Sequence, residues 1–140
     1  MVAIYGRADP RPIHPLHAIL LSFPFPLFLG TLVSDLAYRA TFQIQWHNFA
    51  QWLNAGGLLV GAFAGLWALV NLFRRNTRGR GSTLYFVLLL AMWVLGLLNA
   101  FIHAKDAWAI MPEAIWLSSI SAVLAFLAAW VGFSGVQSER

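Results

Sequence analysis

The chain has 140 residues, of which 60% are hydrophobic and only 10% charged, and a mean hydropathy of +0.70, a composition that excludes an ordinary soluble domain. Its net charge of +4 and pI near 10.4 come from basic residues in short segments between apolar runs, not interleaved with aromatics, so a nucleic-acid partner is excluded. With no cysteine, the chain cannot form disulfides, thiolate metal sites, iron–sulfur clusters or covalent haem attachments of its own.

Residues 1–13 are an irregular lead-in along the membrane surface, rich in Gly6, Pro10 and Pro12. Arg7 and Arg11 precede an apolar segment too long for a signal peptide and without a small-x-small cleavage site, so this segment is expected to be retained. The first span runs over about 14–38, with Pro15 in its first turn and His14 near the cap. Pro24 and Pro26 remove two backbone donors, which predicts a bend and unpaired carbonyls near Leu20 and Ser22, repaired by Ser22 or a neighbouring helix. Asp35, close to the far end, is expected at the interface or paired with Arg39.

After a polar turn over 40–46, ending on the interfacial Trp46, a second span covers about 47–73. Gly57, Gly61 and Gly65 recur every four residues there and let another helix or a flat cofactor approach one face. Arg74, Arg75, Arg78 and Arg80 then mark a solvated turn at an anionic membrane face. A third span covers about 83–103, a short turn follows over 104–111, and a fourth span covers about 112–132, with Pro112 at N1 and Glu113 complementing the helix dipole. Its small-residue stripe of Ser118, Ser121, Ala122, Ala125, Ala128 and Ala129 is expected to meet the glycine face of the second span. Residues 134–140 form a polar, fraying tail.

The fold class is therefore all-α: an antiparallel four-helix transmembrane bundle, its domain spanning 14–133 and embedded in the lipid bilayer. Both termini and the arginine turn share one side. Arg7, Arg11, Arg74, Arg75, Arg78, Arg80 and Arg140 there outnumber Arg39 and Lys105 opposite, which makes the first side cytoplasmic.

His47 opens the second span and His103 closes the third, so antiparallel helices bring them to one depth. Two imidazoles on different helices at one level can ligate a b-type haem axially, with Trp46, Phe49, Trp52, Phe101 and Trp108 either walling the porphyrin or forming an interfacial belt. His14 and His17, three residues apart, are weaker candidates for a metal, with interfacial anchoring as the alternative. No nucleophile–histidine–acid set or phosphate-binding loop can be assembled, so catalysis by the chain alone is not expected. Asn54, Asn71 and Asn99 are too few and scattered to line the path of a metal or small-molecule permease, the third functional alternative.

His14-Pro15-Leu16-His17, then Phe23-Pro24, then Gly30 through Asp35-Leu36-Ala37-Tyr38 resemble the bacterial membrane family called domain of unknown function 2231, over about residues 13–105. The resemblance implies a small four-span inner-membrane protein that accompanies periplasmic redox proteins of the quinoprotein sugar dehydrogenase type. Many members carry a further histidine at the start of the third span, where this chain has Arg80-Gly81-Ser82. The expected function is a membrane subunit that docks a periplasmic oxidoreductase and passes electrons toward quinone, through a haem b on His47 and His103 or without one. The alternative is a cofactor-free anchor or assembly partner.

Overall fold

The computed structural model describes residues 13–74 and 80–134; the lead-in up to residue 12, Arg75, Arg78 and residues 135–140 of the tail lie outside the described residues. It contains five α-helices: α1 (Pro15–Ser22), α2 (Pro24–Thr41), α3 (Ile44–Arg74), α4 (Arg80–His103) and α5 (Glu113–Phe133), and no strand among the described residues. Taken together, α1 and α2 make the first of four segments long and apolar enough to cross a membrane; α3, most of α4 and α5 are the others.

The prolines act as their chemistry requires. Pro15 occupies the first turn of α1, where His14 caps the helix by accepting from the Leu16 N–H through Nδ1 at 3.2 Å. Pro24 and Pro26 end α1 at Ser22 and restart the helix as α2, with Phe23 between the two. The repair differs in detail from expectation: the Ser22 hydroxyl donates to the Ile19 carbonyl at 2.7 Å, one residue short of Leu20.

The first of the turns is shorter than expected, and the second is one residue longer. α2 continues to Thr41 and α3 starts at Ile44, so the 40–46 turn shrinks to Phe42 and Gln43, and Phe42 takes the left-handed conformation (φ 54°) as its N–H closes on Tyr38 O at 2.7 Å. Trp46 is consequently helical. Between α4 and α5 the chain makes one 3₁₀ turn, Ala107–Ala109, and a cis Met111–Pro112 bond; Pro112 is the N-cap of α5, one position before the N1 place expected for it, and Glu113 lies in the first turn.

In the bundle α2 packs on α3, α3 on α4, α4 on α5 and α5 back on α2, so α3 and α5 stand diagonally. The expected meeting of the two small-residue stripes is thereby overturned. Gly57 lies under the Phe28 ring of α2, Gly61 meets Met92 and Trp93 of α4, and Gly65 meets nothing. On α5 it is Ser118, Ser121, Ala122, Ala125 and Ala128 that are buried, between α4 and α2, while Ala129 is half-buried. Because α2 and α4 each offer bulky residues inward, chiefly Phe28, Tyr85, Leu89 and Met92, the small faces of α3 and α5 serve as the space those side chains fill.

Alternation places the end of α3 at Arg74 and the start of α4 at Arg80 at one end of the bundle, and the 42–43 and 104–112 connections at the other. Toward the first, the arginine end, the core is apolar: Leu21, Phe28, Tyr85, Leu89 and Met92 with alanines of α5. Toward the second, the turn end, it is polar. That contrast positions the site.

Candidate functional site

On α2, Phe28, Thr31, Asp35 and Tyr38 recur at helical spacing, and all four are buried. On α4, Asn99 and His103 lie one turn apart on the inward face, and on α5 Ser118 faces them. The bundle brings these three stripes together near the turn end.

Asp35 is the centre. Its Oδ1 lies 2.7 Å from His103 Nε2, and its Oδ2 accepts from the Ser118 hydroxyl at 2.5 Å. Ser118 Oγ in turn accepts from Asn99 Nδ2 at 2.8 Å. The other ring nitrogen of His103, Nδ1, faces the Asn99 carbonyl oxygen at 2.8 Å. A carbonyl only accepts, so Nδ1 carries a hydrogen and donates it. One further proton then lies between His103 Nε2 and Asp35 Oδ1, on either atom, and the unit is either a zwitterion or a neutral pair. Its net charge is zero in both forms, which is the condition for a carboxylate and an imidazole to sit buried among apolar helices.

Asp35 is fully buried and His103 1% exposed, so neither reaches water directly. The expected partner Arg39 is exposed and takes no part. What sequence reasoning missed was the pair itself, although the signal existed: the same alternation that levels His47 with His103 also brings Asp35, near the end of the first span, and Ser118, near the start of the fourth, to that depth.

His47 is there as expected. Its ring stacks on His103 with centroids 5.7 Å apart and 12° between planes, and it leans on Tyr38 at 5.8 Å. Gln51 Nε2 donates to the His103 carbonyl at 2.6 Å, and the Tyr38 hydroxyl to the Ala107 carbonyl at 3.1 Å, so α3 and α2 hold the end of α4 and the turn beyond it.

This arrangement does not fit axial haem ligation. Each axial imidazole must turn a free nitrogen lone pair toward an iron lying between the two rings. Here the rings lie face to face, and both nitrogens of His103 are committed to Asp35 and Asn99. The reason is local: the carboxylate on α2 competes for the nitrogen that a metal would need.

At the arginine end, His14 is committed as a helix cap and His17 Nε2 lies 2.7 Å from the Tyr85 hydroxyl, with Trp67 against both imidazoles at 5.1 and 5.6 Å. Among the described residues no group of three histidines or carboxylates is placed to hold a metal. The two ring systems pack on Trp67 instead of converging on a point.

A family model described as a predicted membrane protein, DUF2231, matches residues 13–139. No curated protein and no solved structure matches the chain.

Proposed function

From the premise that the chain belongs to the DUF2231 family of membrane proteins, we propose that it is an inner-membrane subunit that seats a periplasmic redox enzyme on its turn end and binds one exchangeable proton there, on the Asp35–His103 pair. The observation that carries the proton-binding part is the pair's geometry: an ionisable acid and base in direct contact, both buried, with Ser118 and Asn99 fixing the carboxylate. Ionisable groups inside a membrane domain are costly, and proton relays are among their principal uses. The enzyme class, a quinoprotein dehydrogenase delivering electrons toward quinone, comes from the family resemblance, and the excess of arginine at the opposite end supports its periplasmic placement.

In this role Ser118 and Asn99 orient the carboxylate, the Asn99 carbonyl selects the His103 tautomer, and the buried His47 ring, stacked on His103, is the next titratable group to the pair. The groups facing the pair are His47 on α3 and Tyr38 on α2; α5 contributes only a hydroxyl, and Arg39, Lys105, Asp106 and Glu113 stand exposed. No haem is assigned, because His103 lacks a free nitrogen.

A second reading, a cofactor-free anchor, is favoured by a different consequence of the same contacts. The pair and Ser118 tie α2, α4 and α5 together, and they hold a face with the stacked rings of Phe42 and Trp108, 6.0 Å apart. Asp35→Asn separates the readings. The partner polypeptide should co-purify with the variant as with the parent, while its electron delivery to quinone falls and the pH dependence of that rate changes. An unchanged rate and pH profile would leave the anchor and remove the proton site.

A further inference from the structure

Below the Asp35–His103 pair the interior stays polar for two further helical turns. Asn54, Asn99 and Ser121 are each at most 1% exposed, and Asn54 Oδ1, Asn99 Oδ1 and Ser121 Oγ have no hydrogen-bond partner among the described residues. They belong to one region. Asn54 Nδ2 donates to the Gly96 carbonyl at 3.0 Å, Asn99 follows Gly96 by one turn on α4, and Ser121 follows by one turn on α5 the Ser118 hydroxyl that Asn99 binds. On α2 the buried Thr31, one turn from Asp35, turns its hydroxyl back to Leu27 O at 2.9 Å, and Ala50, one turn before Asn54, and Ala122, next to Ser121, are small and buried.

The floor is Phe28, two turns from Asp35 or about 10 Å along the helix. A methyl group at Gly57 or at Gly96 would come within 3.0 Å of its ring, so the ring is held between α3 and α4. Leu21, Leu89 and Met92 continue the apolar layer toward His17 and Tyr85.

Three unpaired polar atoms on three helices are costly in a lipid-embedded bundle, where bulk water cannot reach them. Their hydrogen count is informative. Two amide oxygens accept and one hydroxyl donates, the complement of a water molecule, which donates twice and accepts. A cation is a poor match, because the three oxygens are neutral and the carboxylate above them is already balanced by His103. We propose that the turn-end half of the bundle holds internal water on Asn54, Asn99 and Ser121, extending the hydrogen-bond chain of the Asp35–His103 pair down to Phe28. The water continues the pair's polar network inward through Asn99, and the apolar layer below ends it at Phe28, so that a proton held on the pair is taken from one face and not conducted across. Only this use rests on the proton-binding reading; the water itself does not.

The test uses the full chain in lipid bilayers and reads neither partner nor activity, so it can fail independently of the proposed function. In water-edited solid-state NMR the side-chain amides of Asn54 and Asn99 should receive magnetisation from water while the Met92 methyl does not. Ser121→Ala should then lower the melting temperature by about 2–5 °C, since a bound water loses its donor. Amides as dry as Met92, or a Ser121→Ala protein that is more stable because an unpaired hydroxyl has gone, overturns the proposal. So does stabilisation by sodium over potassium that disappears in Ser121→Ala, which would assign the oxygens to a cation.

Discussion

Asp35 holds a carboxylate at a depth where lipid-facing charge is penalised, and two facts make this tolerable: both of its oxygens are engaged, and His103 balances it. The cost reappears if one partner is removed. His103→Leu should destabilise the protein by about 3–5 kcal/mol, because Asp35 is left buried without its counter-charge. Asp35→Leu with His103→Leu should recover much of that loss, since neither group then needs the other. Thermal unfolding of the two single variants and the double variant gives the coupling energy directly, and additive losses would mean that the pair is not a unit. The same residues show where sequence reading stops. Levels along the membrane normal follow from span ends alone, so the meeting of His47 and His103 was legible. Facing was not, because nothing in the local spacing says that Asp35 points at a histidine 68 residues away rather than at Arg39, one turn along its own helix.

At the scale of the helices, length and apolarity suffice to find all four spans, and the prolines place a bend where the structure ends α1 and begins α2. The helix faces were harder to read. A membrane helix is apolar toward lipid as well as toward its neighbours, so the amphipathic signal that orients a soluble helix is weak here. Regular glycine spacing therefore suggests one packing stripe, while the structure divides it: Gly57 lies against Phe28, Gly61 against Met92, and a Cβ at Gly65 would meet nothing. The division is testable. Gly57→Ala should cost about 1–3 kcal/mol, because the added methyl would sit 3.0 Å from a Phe28 ring already confined from the other side by Gly96. Gly65→Ala should stay within about 0.5 kcal/mol of the parent, since it meets no neighbour. Melting curves in detergent compare the two, and equal losses at both positions would restore the single stripe.

For the molecule as a whole, the aromatic side chains show how the bundle meets its solvent. Trp52, Trp108 and Trp116 are exposed on the half nearer the turn end, Phe73 and Trp130 on the arginine half, and Trp93 is tied between them by its N–H to the Leu58 carbonyl at 3.1 Å. Such a pair of girdles suits the two interfaces of a bilayer, where an amphipathic ring gains contacts with both the acyl region and the headgroups. The polar interior and the short turns lie at one girdle, and the helix ends at Arg74 and Arg80 lie at the other. If the chain crosses four times, Trp108 and Trp130 must report from opposite faces. In single-tryptophan variants reconstituted with known sidedness, a membrane-impermeant quencher added outside should reach one of these two residues and not the other, and Trp93 should be quenched only by labels placed deep in the acyl chains. If the arginine end faces inward, as proposed, the quenched residue in right-side-out vesicles is Trp108, on the side where the proposed partner docks. Quenching of both residues from one side would break the alternation on which the levelling of Asp35, His47 and His103 depends.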